Sequence, residues 1–213
     1  MKTLLRIDAS VRTAESYSRK LADVFQEKWL IANPHGKVVT RDLTVNPVPH
    51  LKNETILDFF SPAESHTPEI RNAIALSDTL VAELVAADAI VFSTPLYNFS
   101  IPSVLKAYID HIVRAGKTFG MNEQGFFGML KGKKAIVLLA KGAVYRDTPL
   151  NVLDYCEPYL RALLTFLGIE TIETLVIEGT TTDVERAAEM TELAYQHMDR
   201  IIECGSPIAE ATA

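Results

Sequence analysis

Short apolar runs alternate with segments of helical period along this chain, and this alternation limits the fold to a narrow class. Runs such as AIVFST and AIVLLA are mostly apolar at consecutive positions, as expected for strands that are buried on both faces of a parallel sheet. The pattern predicts five strands, at Thr3–Asp8, Lys37–Asp42, Ala89–Thr94, Ala135–Ala140 and Thr171–Ile177. Such an alternation is typical of a doubly wound open α/β sheet.

Apolar stripes indicate the helices between these strands. They comprise Leu21, Val24, Phe25 and Trp29 in one helix and Leu105, Tyr108, Ile109 and Ile112 in another, which Pro102 precedes. Two later helices are predicted, over Leu150–Leu167 and from about Asp183 to Cys204. A chain of 213 residues with 48% hydrophobic content suits one globular domain over residues 1–213.

The composition disfavours several classes of function. A formal net charge of −6 argues against a nucleic-acid or anionic-membrane partner, because those surfaces select basic patches. The sequence shows neither a signal-peptide core nor an apolar run of the roughly 18 to 20 residues that a membrane span needs, which predicts a soluble cytoplasmic protein. The five histidines are scattered without HxxxH or HExxH spacing, so no bound metal is expected. Cys156 and Cys204 lack CxxC spacing and are predicted to be buried, inert thiols.

Two connections are long for a compact domain. Leu43–Thr67 holds three prolines and little periodicity, which predicts an irregular excursion. Gly116–Gly132 holds five glycines and three phenylalanines. Segments of this length are usually binding segments or covers. The phenylalanines therefore indicate either a ligand or partner contact, or a loop folded over its own aromatic rings.

Hydroxyl groups crowd the turn after the first predicted strand, and this turn has no glycine. In open α/β sheets ligands bind beyond the carboxyl ends of the strands, where a helix start offers N–H groups and a positive dipole end to a phosphate. Ser10, Ser16 and Ser18 can each donate a hydrogen bond to one phosphate monoester. The alternative, that Ser16 or Ser18 simply caps the first helix, explains a single hydroxyl at least as well.

Other phosphate-binding and catalytic motifs are missing. The turn has no G-x-G-x-x-G, so an NAD-type dinucleotide site is disfavoured. A P-loop is excluded, because Gly128 and Gly132 are one residue too close and Lys134 occupies the required Ser/Thr position. No G-x-S-x-G elbow of an α/β hydrolase is present.

The turn after the third predicted strand completes a recognisable set of motifs. It reads STPLYNFSIP, which would place Tyr97 and Asn98 beside a planar ligand. With Ser10 and the Ser16-Tyr17-Ser18 run, this turn resembles the FMN-dependent NADH azoreductases, relatives of the NAD(P)H quinone reductases. Their flavin loop reads P-M-Y-N-F, and here it is PLYNF. The resemblance continues through Tyr108, Arg114-Ala115-Gly116 and Thr118-Phe119, GKKAIV, the RDL near Arg41 and LTFLGI, and spans nearly the whole chain.

The resemblance implies a fold and a cofactor. The fold would be a flavodoxin-like three-layer sandwich, with a five-stranded parallel sheet in the order 2-1-3-4-5 and helices on both faces. FMN would be bound and NADH would be the hydride donor, with azo compounds and quinones as acceptors in a ping-pong reaction. The residues that would hold FMN are Ser10, Ser16, Tyr17, Ser18, Pro95, Leu96, Tyr97, Asn98, Phe99, Ala140, Lys141, Gly142 and Ala143.

The resemblance also implies roles within this site. Asn98 would support flavin N5 and O4, while Lys141 and the amides of Gly142 and Ala143 would compensate negative charge at N1 and O2. No side chain is expected to act as a catalytic nucleophile, because the flavin carries the chemistry. A homodimer with both active sites at its interface is implied, and the candidate residues for covering the flavin are Phe119, Met121, Phe126, Phe127 and Phe166. The alternative is a flavodoxin-like electron carrier without substrate turnover.

The sequence departs from the family pattern at three places. Ala140-Lys141-Gly142-Ala143 stands where the family often has Ser-Arg-Gly-Gly, so a hydroxyl and a glycine are lost. Met121 lies where some relatives carry an aromatic residue over the flavin, and Glu15-Ser16-Tyr17 replaces a Tyr-Ser-Gln run. A substrate preference that differs from the family's is therefore expected.

Overall fold

The computed structural model describes residues 1–59, 61 and 63–203. Its strands are β1 (Thr3–Asp8), β2 (Lys37–Asp42), β3 (Ala89–Pro95), β4 (Phe119–Asn122), β5 (Gly125–Gly128), β6 (Lys134–Ala140) and β7 (Thr171–Ile177). Its α-helices are α1 (Tyr17–Ala32), α2 (Asn53–Phe59), α3 (Pro68–Ala86), α4 (Ser103–Ile112), α5 (Cys156–Phe166) and α6 (Val184–Glu203). Short 3₁₀ helices cover Ala63–Ser65 and Pro149–Leu153.

Five strands form one parallel sheet in the order β2-β1-β3-β6-β7. In the numbering of the predicted strands this order is 2-1-3-4-5, so the predicted topology is confirmed. The first, second and fifth predicted strands match to the residue, whereas β3 extends to Pro95 and β6 begins at Lys134. The sheet is a flavodoxin-like arrangement, in which the chain winds outward in both directions from β1 and β3.

Helices cover both faces of the sheet, which explains why the central strands are apolar at consecutive positions. On one face, Leu5, Ile7 and Phe92 pack in a core with residues of α3, α4 and α5. On the other face, Leu4, Val91 and Ile136 pack in a second core with residues of α1 and α6. The predicted apolar stripes supply both cores, through Tyr108 and its neighbours on the first face and Phe25 and Trp29 on the second.

The excursion Leu43–Thr67 is more ordered than predicted, because it contains α2 and a 3₁₀ helix. Phe59 is the last residue of α2, and the centre of its ring lies 3.6 Å from the Arg114 guanidinium. The buried Arg114 also donates to Ser77 Oγ at 2.6 Å. A tertiary contact thus holds α2 in place, and a helix of seven residues is too short to show a period in the sequence.

Two further expectations need correction. Gly116–Gly132 is not a plain loop, because it contains the antiparallel hairpin of β4 and β5. The predicted helix Leu150–Leu167 is divided into a 3₁₀ helix over Pro149–Leu153 and α5. The break lies at Asp154, whose Oδ1 atom accepts a hydrogen bond from the Cys156 N–H at 3.1 Å and so starts a new helix.

The predicted carboxy-terminal helix is present as α6, and Cys204 lies outside the described residues. Cys156 is a free, fully buried thiol, as predicted. Among residues 1–59, 61 and 63–203, none of the helices combines the length and apolar character that crossing a bilayer requires. No grouping of His, Cys, Asp and Glu suited to a metal ion occurs in that same part of the chain.

Candidate functional site

Three loops meet at the carboxyl ends of the neighbouring strands β1, β3 and β6. The Ala9 N–H after β1 donates to the Ser93 carbonyl of β3 at 2.9 Å, and the Leu96 N–H after β3 donates to the Ala140 carbonyl of β6 at 2.9 Å. Because β2 and β3 lie on opposite sides of β1, the strand order reverses here. This is the position where open α/β sheets bind their ligands.

The first loop brings the three predicted serines into a buried cluster. Ser10, Ser16 and Ser18 are all buried, and the hydroxyls of Ser16 and Ser18 lie 3.3 Å apart. Ser16 also caps α1, because its Oγ atom accepts from the Arg19 N–H at 3.4 Å. The capping interpretation is therefore correct for Ser16. Capping does not account for the other two serines, since Ser10 Oγ donates to the Arg12 carbonyl at 3.3 Å and Ser18 Oγ contacts only the Ser16 hydroxyl among the described residues.

Backbone donors complete this cluster. The N–H groups of Tyr17 and Ser18 lie in the first turn of α1, and within the described residues neither donates to a protein acceptor. The positive end of the helix dipole lies at the same place. Buried hydroxyls, free N–H groups and a helix start together fit a phosphate monoester.

Arg19 links the first loop to the end of β2, and it was not predicted as a site residue from the sequence. Its guanidinium donates to the Ser10 carbonyl at 2.8 and 3.2 Å and to both oxygens of Asp42 at 2.6 and 2.9 Å. The hydrogen bonds from Arg19 hold the pKa of Asp42 well below its usual range, assisted by those from Thr44. The available signal was an arginine at the start of α1 together with an aspartate at the end of the neighbouring strand.

Asp8 is a second missed residue at this loop. It ends β1 with 3% of its surface exposed, and its Oδ2 atom accepts from Arg6 Nε at 2.9 Å. Its other oxygen, Oδ1, is buried without a partner among the described residues. Burial raises the pKa of Asp8, although Arg6 and Arg19 oppose this shift. Asp8 therefore lies in a network of paired charges directly before the serines.

The second loop is a tight turn that presents Asn98. The N–H groups of Tyr97 and Ser100 each donate to the other's carbonyl, at 2.9 and 3.0 Å. Asn98 and Phe99 between them have positive φ angles of 46° and 72°, as in a type I′ turn, where asparagine is favoured. Pro95 and Leu96 are buried and form the base of the turn, while Asn98 and Phe99 are exposed at its tip.

The third loop offers backbone donors. The N–H groups of Gly142 and Ala143 donate to no protein acceptor in the described part of the chain. Their carbonyls accept hydrogen bonds from the segment after β7, with Thr181 N–H to Gly142 O at 2.9 Å and Gly179 N–H to Ala143 O at 3.2 Å. Ala140, which precedes them, is buried at the end of β6. The loop is thus fixed through its carbonyls and leaves its amides for a ligand.

Lys141 requires a correction, because its ammonium is not available to a ligand. Nζ lies 2.6 Å from Asp154 Oδ2 and 2.9 Å from Glu178 Oε1, and the residue is 4% exposed. Although burial alone would lower the pKa of Lys141, the two carboxylates outweigh it and raise the pKa. The charge compensation predicted for this side chain is therefore already used inside the protein, and the amides of Gly142 and Ala143 remain as donors.

The residues predicted to cover the ligand are only partly brought together. Phe119 packs on Phe166 and Phe126 with ring centres 5.1 and 6.0 Å apart, and Phe126 lies 6.1 Å from Phe166. Met121 and Phe127 are outside this cluster and are 72% and 42% exposed. The hairpin thus uses part of its aromatic surface to pack on α5 and leaves part uncovered.

A cavity of about 450 Å³ lies at the opposite, amino-terminal edge of the sheet, between the ends of α1 and α6. Trp29, Lys133 and Ile201 are among its lining residues. None of the predicted cofactor residues lines it, so it is separate from the three loops.

Comparisons with known proteins agree with this arrangement. Residues 1–201 match the model of a family described as having a flavodoxin-like fold. The chain belongs to this flavodoxin-like family. It is 46% identical over 174 residues to the FMN-dependent NADH:quinone oxidoreductase of Nostoc punctiforme, covering 81% of this chain and 85% of that protein. It is 45% identical over 179 residues to the protein of the same name from Marinomonas sp., covering 84% of this chain and 89% of that one.

Solved structures of flavodoxin-like proteins superpose over almost the whole chain. The azoreductase from Bacillus anthracis str. Sterne gives a TM-score of 0.87 at 31% identity, covering 95% of this chain and 99% of that chain. The FMN-dependent NADH-azoreductase from Bacillus anthracis str. Ames Ancestor, in complex with FMN, gives a TM-score of 0.85 at 26% identity. That match covers 95% of this chain and all (100%) of that one.

Proposed function

We propose that this flavodoxin-like protein binds FMN and uses it to transfer a hydride from NADH to quinones and azo compounds. The observation that carries the proposal is the meeting of three loops at the point where the strand order reverses. One loop offers buried hydroxyls and helix N–H groups, and the other two offer free backbone donors and an exposed amide side chain. The printed names of the relatives and solved structures support the same cofactor, donor and acceptors.

The protein's own groups would bind and orient the cofactor, and FMN, when bound, supplies two-electron hydride chemistry. The hydroxyls of Ser10, Ser16 and Ser18 and the N–H groups of Tyr17 and Ser18 would donate to its phosphate. Arg19 is engaged with Asp42 and Ser10, so its guanidinium is not free for the ligand. One phosphate, as in a mononucleotide, suits this loop, because it lacks the glycines through which dinucleotide folds approach a pyrophosphate closely.

The other two loops would face the ring system of the flavin. Asn98 would donate or accept hydrogen bonds near N5 and O4, since the turn presents its side chain to the exterior. The N–H groups of Gly142 and Ala143 would stabilise negative charge at N1 and O2. No side chain is assigned as a catalytic acid or base, because solvent can supply the proton that the product needs.

We infer a ping-pong order in which NADH and the acceptor use the same place in turn.

The first test is the cofactor: purified protein should be yellow and should release FMN, and not FAD, on denaturation. Apoprotein should bind riboflavin about a hundredfold more weakly than FMN, because riboflavin cannot accept the phosphate hydrogen bonds. Equal affinity for the two flavins would contradict the role of the serines.

An electron carrier without turnover is the competing function. The exposed tip of the second loop and the open aromatic surface of the hairpin favour an enzyme that admits a substrate. Steady-state oxidation of NADH with menadione or methyl red distinguishes the two, since a carrier would show almost no turnover. Double-reciprocal plots of initial rate against NADH concentration are measured at several fixed acceptor concentrations. Parallel lines would support the ping-pong order, and intersecting lines would oppose it.

We also propose that the protein is a homodimer whose interface includes the hairpin of β4 and β5. Large apolar side chains on and beside this hairpin are exposed, with Met121 at 72%, Phe126 at 66% and Met129 at 45%. Exposed apolar side chains that lie together on a surface are typical of protein–protein interaction sites. Light scattering at micromolar concentration should give the mass of two chains, and a monomer would overturn this part alone.

Because NADH is a donor found inside cells, we propose the cytoplasm as the place of the reaction.

A further inference from the structure

Lys141, Asp154 and Glu178 form a buried triad of charges behind the third loop. The Lys141 ammonium lies 2.6 Å from Asp154 Oδ2 and 2.9 Å from Glu178 Oε1. The side chains of the three residues are 5%, 10% and 2% exposed. Bulk water therefore screens this cluster poorly, and its charges act on their neighbours through a medium of low effective dielectric constant.

The triad joins three separate segments of the chain. Lys141 follows β6, Asp154 follows the 3₁₀ helix and Glu178 follows β7. Glu178 also accepts from the Arg146 N–H at 3.1 Å, so its carboxylate is tied to the connection that follows Gly142 and Ala143. The Lys141 carbonyl accepts from the Thr180 N–H at 3.1 Å. The amides of Gly142 and Ala143 are thus held on a support with little freedom to move.

The charges of the triad do not balance. One ammonium is paired with two carboxylates, which leaves one negative charge. Among the described residues, the other groups in contact with the triad are neutral: the Tyr145 ring lies 5.5 Å from Lys141 Nζ, and the backbone N–H groups of Cys156 and Arg146 donate to Asp154 and Glu178. The Arg146 side chain is exposed. A buried net charge of this kind costs folding free energy, so a functional reason for retaining it is worth testing.

Resting on the proposed function, we propose that Asp154 and Glu178 are positioning residues that set the affinity of the protein for reduced relative to oxidised FMN. They draw the Lys141 ammonium away from the ligand, so that only backbone amides face the pyrimidine edge of the flavin. They also leave a negative charge behind those amides. Reduced FMN carries negative charge at N1 and O2, so this charge disfavours the reduced form and makes it a stronger hydride donor.

The test removes one negative charge at a time without changing shape. Asn at position 154 can still accept from the Cys156 N–H and from Lys141, and Gln at position 178 can still accept from the Arg146 N–H. For Asp154→Asn and Glu178→Gln we expect the ratio of affinities for reduced and oxidised FMN to rise about tenfold. A tenfold change corresponds to about +30 mV in the midpoint potential of a two-electron couple.

The matched control is Asp147→Asn. Asp147 lies on the same connection as the triad but is exposed, and its φ of 60° suits asparagine equally well. Solvent and salt screen its charge, so the potential of this variant should equal that of the wild type. Potentials are measured on FMN-loaded protein by anaerobic reduction against reference dyes, and oxidised FMN affinity by titrating apoprotein.

The outcomes separate the alternatives. A rise in potential in both triad variants, with the control unchanged, supports the proposal. No rise, a fall, or an equal rise in Asp147→Asn overturns it. Equal loss of affinity for oxidised and reduced FMN in both triad variants also overturns it, since that result shows a structural support without an effect of charge. Wild-type apoprotein that fails to bind FMN would instead refute the proposed function, on which this inference rests.

Discussion

The guanidinium of Arg19 donates to both carboxylate oxygens of Asp42, at 2.6 and 2.9 Å, and so joins the first turn of α1 to the end of β2. The same guanidinium donates to the Ser10 carbonyl at 2.8 Å. In dinucleotide-binding folds, glycines let the corresponding turn approach its ligand closely. Here a bidentate ion pair behind the turn holds the serines in place, which explains how a turn without glycine is kept rigid.

Replacing Arg19 with lysine should loosen this turn, because an ammonium cannot form the planar bidentate pair. For Arg19→Lys we expect FMN affinity to fall about tenfold and the free energy of unfolding of the apoprotein to fall by about 1–3 kcal/mol. Urea denaturation and flavin titration measure the two effects. Lys28→Met is the control, because Lys28 also lies on α1 and forms an exposed ion pair with Asp199 of α6. Loss of that pair should leave FMN affinity unchanged.

The pH dependence of stability should report the same pair. Arg19 lowers the pKa of Asp42 in the folded protein, so this carboxylate stabilises the fold fully above its unfolded pKa of about 3.9 and less as the pH falls below it. We expect the difference in unfolding free energy between wild type and Asp42→Asn to be constant near neutral pH. It should shrink below about pH 4. Denaturation curves between about pH 3 and 7 measure it, and a difference that does not vary with pH would contradict this role.

The strands and helices that could be predicted from the sequence are those that depend on residues close together in the chain. The central strands were visible because both faces are buried, as for Ile90 and Val91 of β3. The short helix α2 was not visible, because its position depends on the contact between Phe59 and Arg114.

The supports of the candidate site were missed for a similar reason. Asp42 and Glu178 are distant in sequence from Arg19 and Lys141, and only the folded sheet brings each carboxylate to its cation. When a lysine or arginine is considered from the sequence alone, its ion-pair partners are not visible, and its charge is readily assigned to a ligand. For Lys141, that assumption led to a role that its two buried carboxylates exclude.

The serine cluster can be tested apart from helix capping. Ser16→Ala combined with Ser18→Ala removes two candidate phosphate donors and also the cap of α1. Thr67→Ala removes an equivalent cap from α3, where Thr67 Oγ1 accepts from the Ile70 N–H at 3.4 Å. Both variants should lose about 1 kcal/mol of stability, but only the serine variant should lose bound FMN. Unchanged flavin content in the serine variant would rule out the phosphate assignment.

The Cys156 thiol should be inert in the folded protein. Burial raises its pKa to about 12, and only the thiolate reacts readily with alkylating reagents. In a Cys204→Ser background, which removes the other thiol, iodoacetamide at about pH 8 should modify Cys156 only after denaturant is added. Mass spectrometry measures the modification. Rapid labelling without denaturant would show that the start of α5 opens in the native state.

Asn98 separates the role of a side chain from that of a backbone conformation. It lies in the left-handed region with a φ of 46°, so Asn98→Ala removes the amide and adds backbone strain of about 1 kcal/mol. Asn98→Gly removes the same amide but tolerates the turn.

If the amide supports the N5 and O4 edge of the flavin, both variants should lose about tenfold or more in kcat with menadione while retaining FMN within about threefold of the wild-type affinity. Strain alone predicts a different pattern, in which glycine restores activity and alanine does not. Rapid-reaction measurement of flavin reduction by NADH, together with flavin titration, distinguishes the two patterns. Equal losses of turnover and FMN affinity in both variants would show that Asn98 holds the cofactor in place and has no separate effect on hydride transfer.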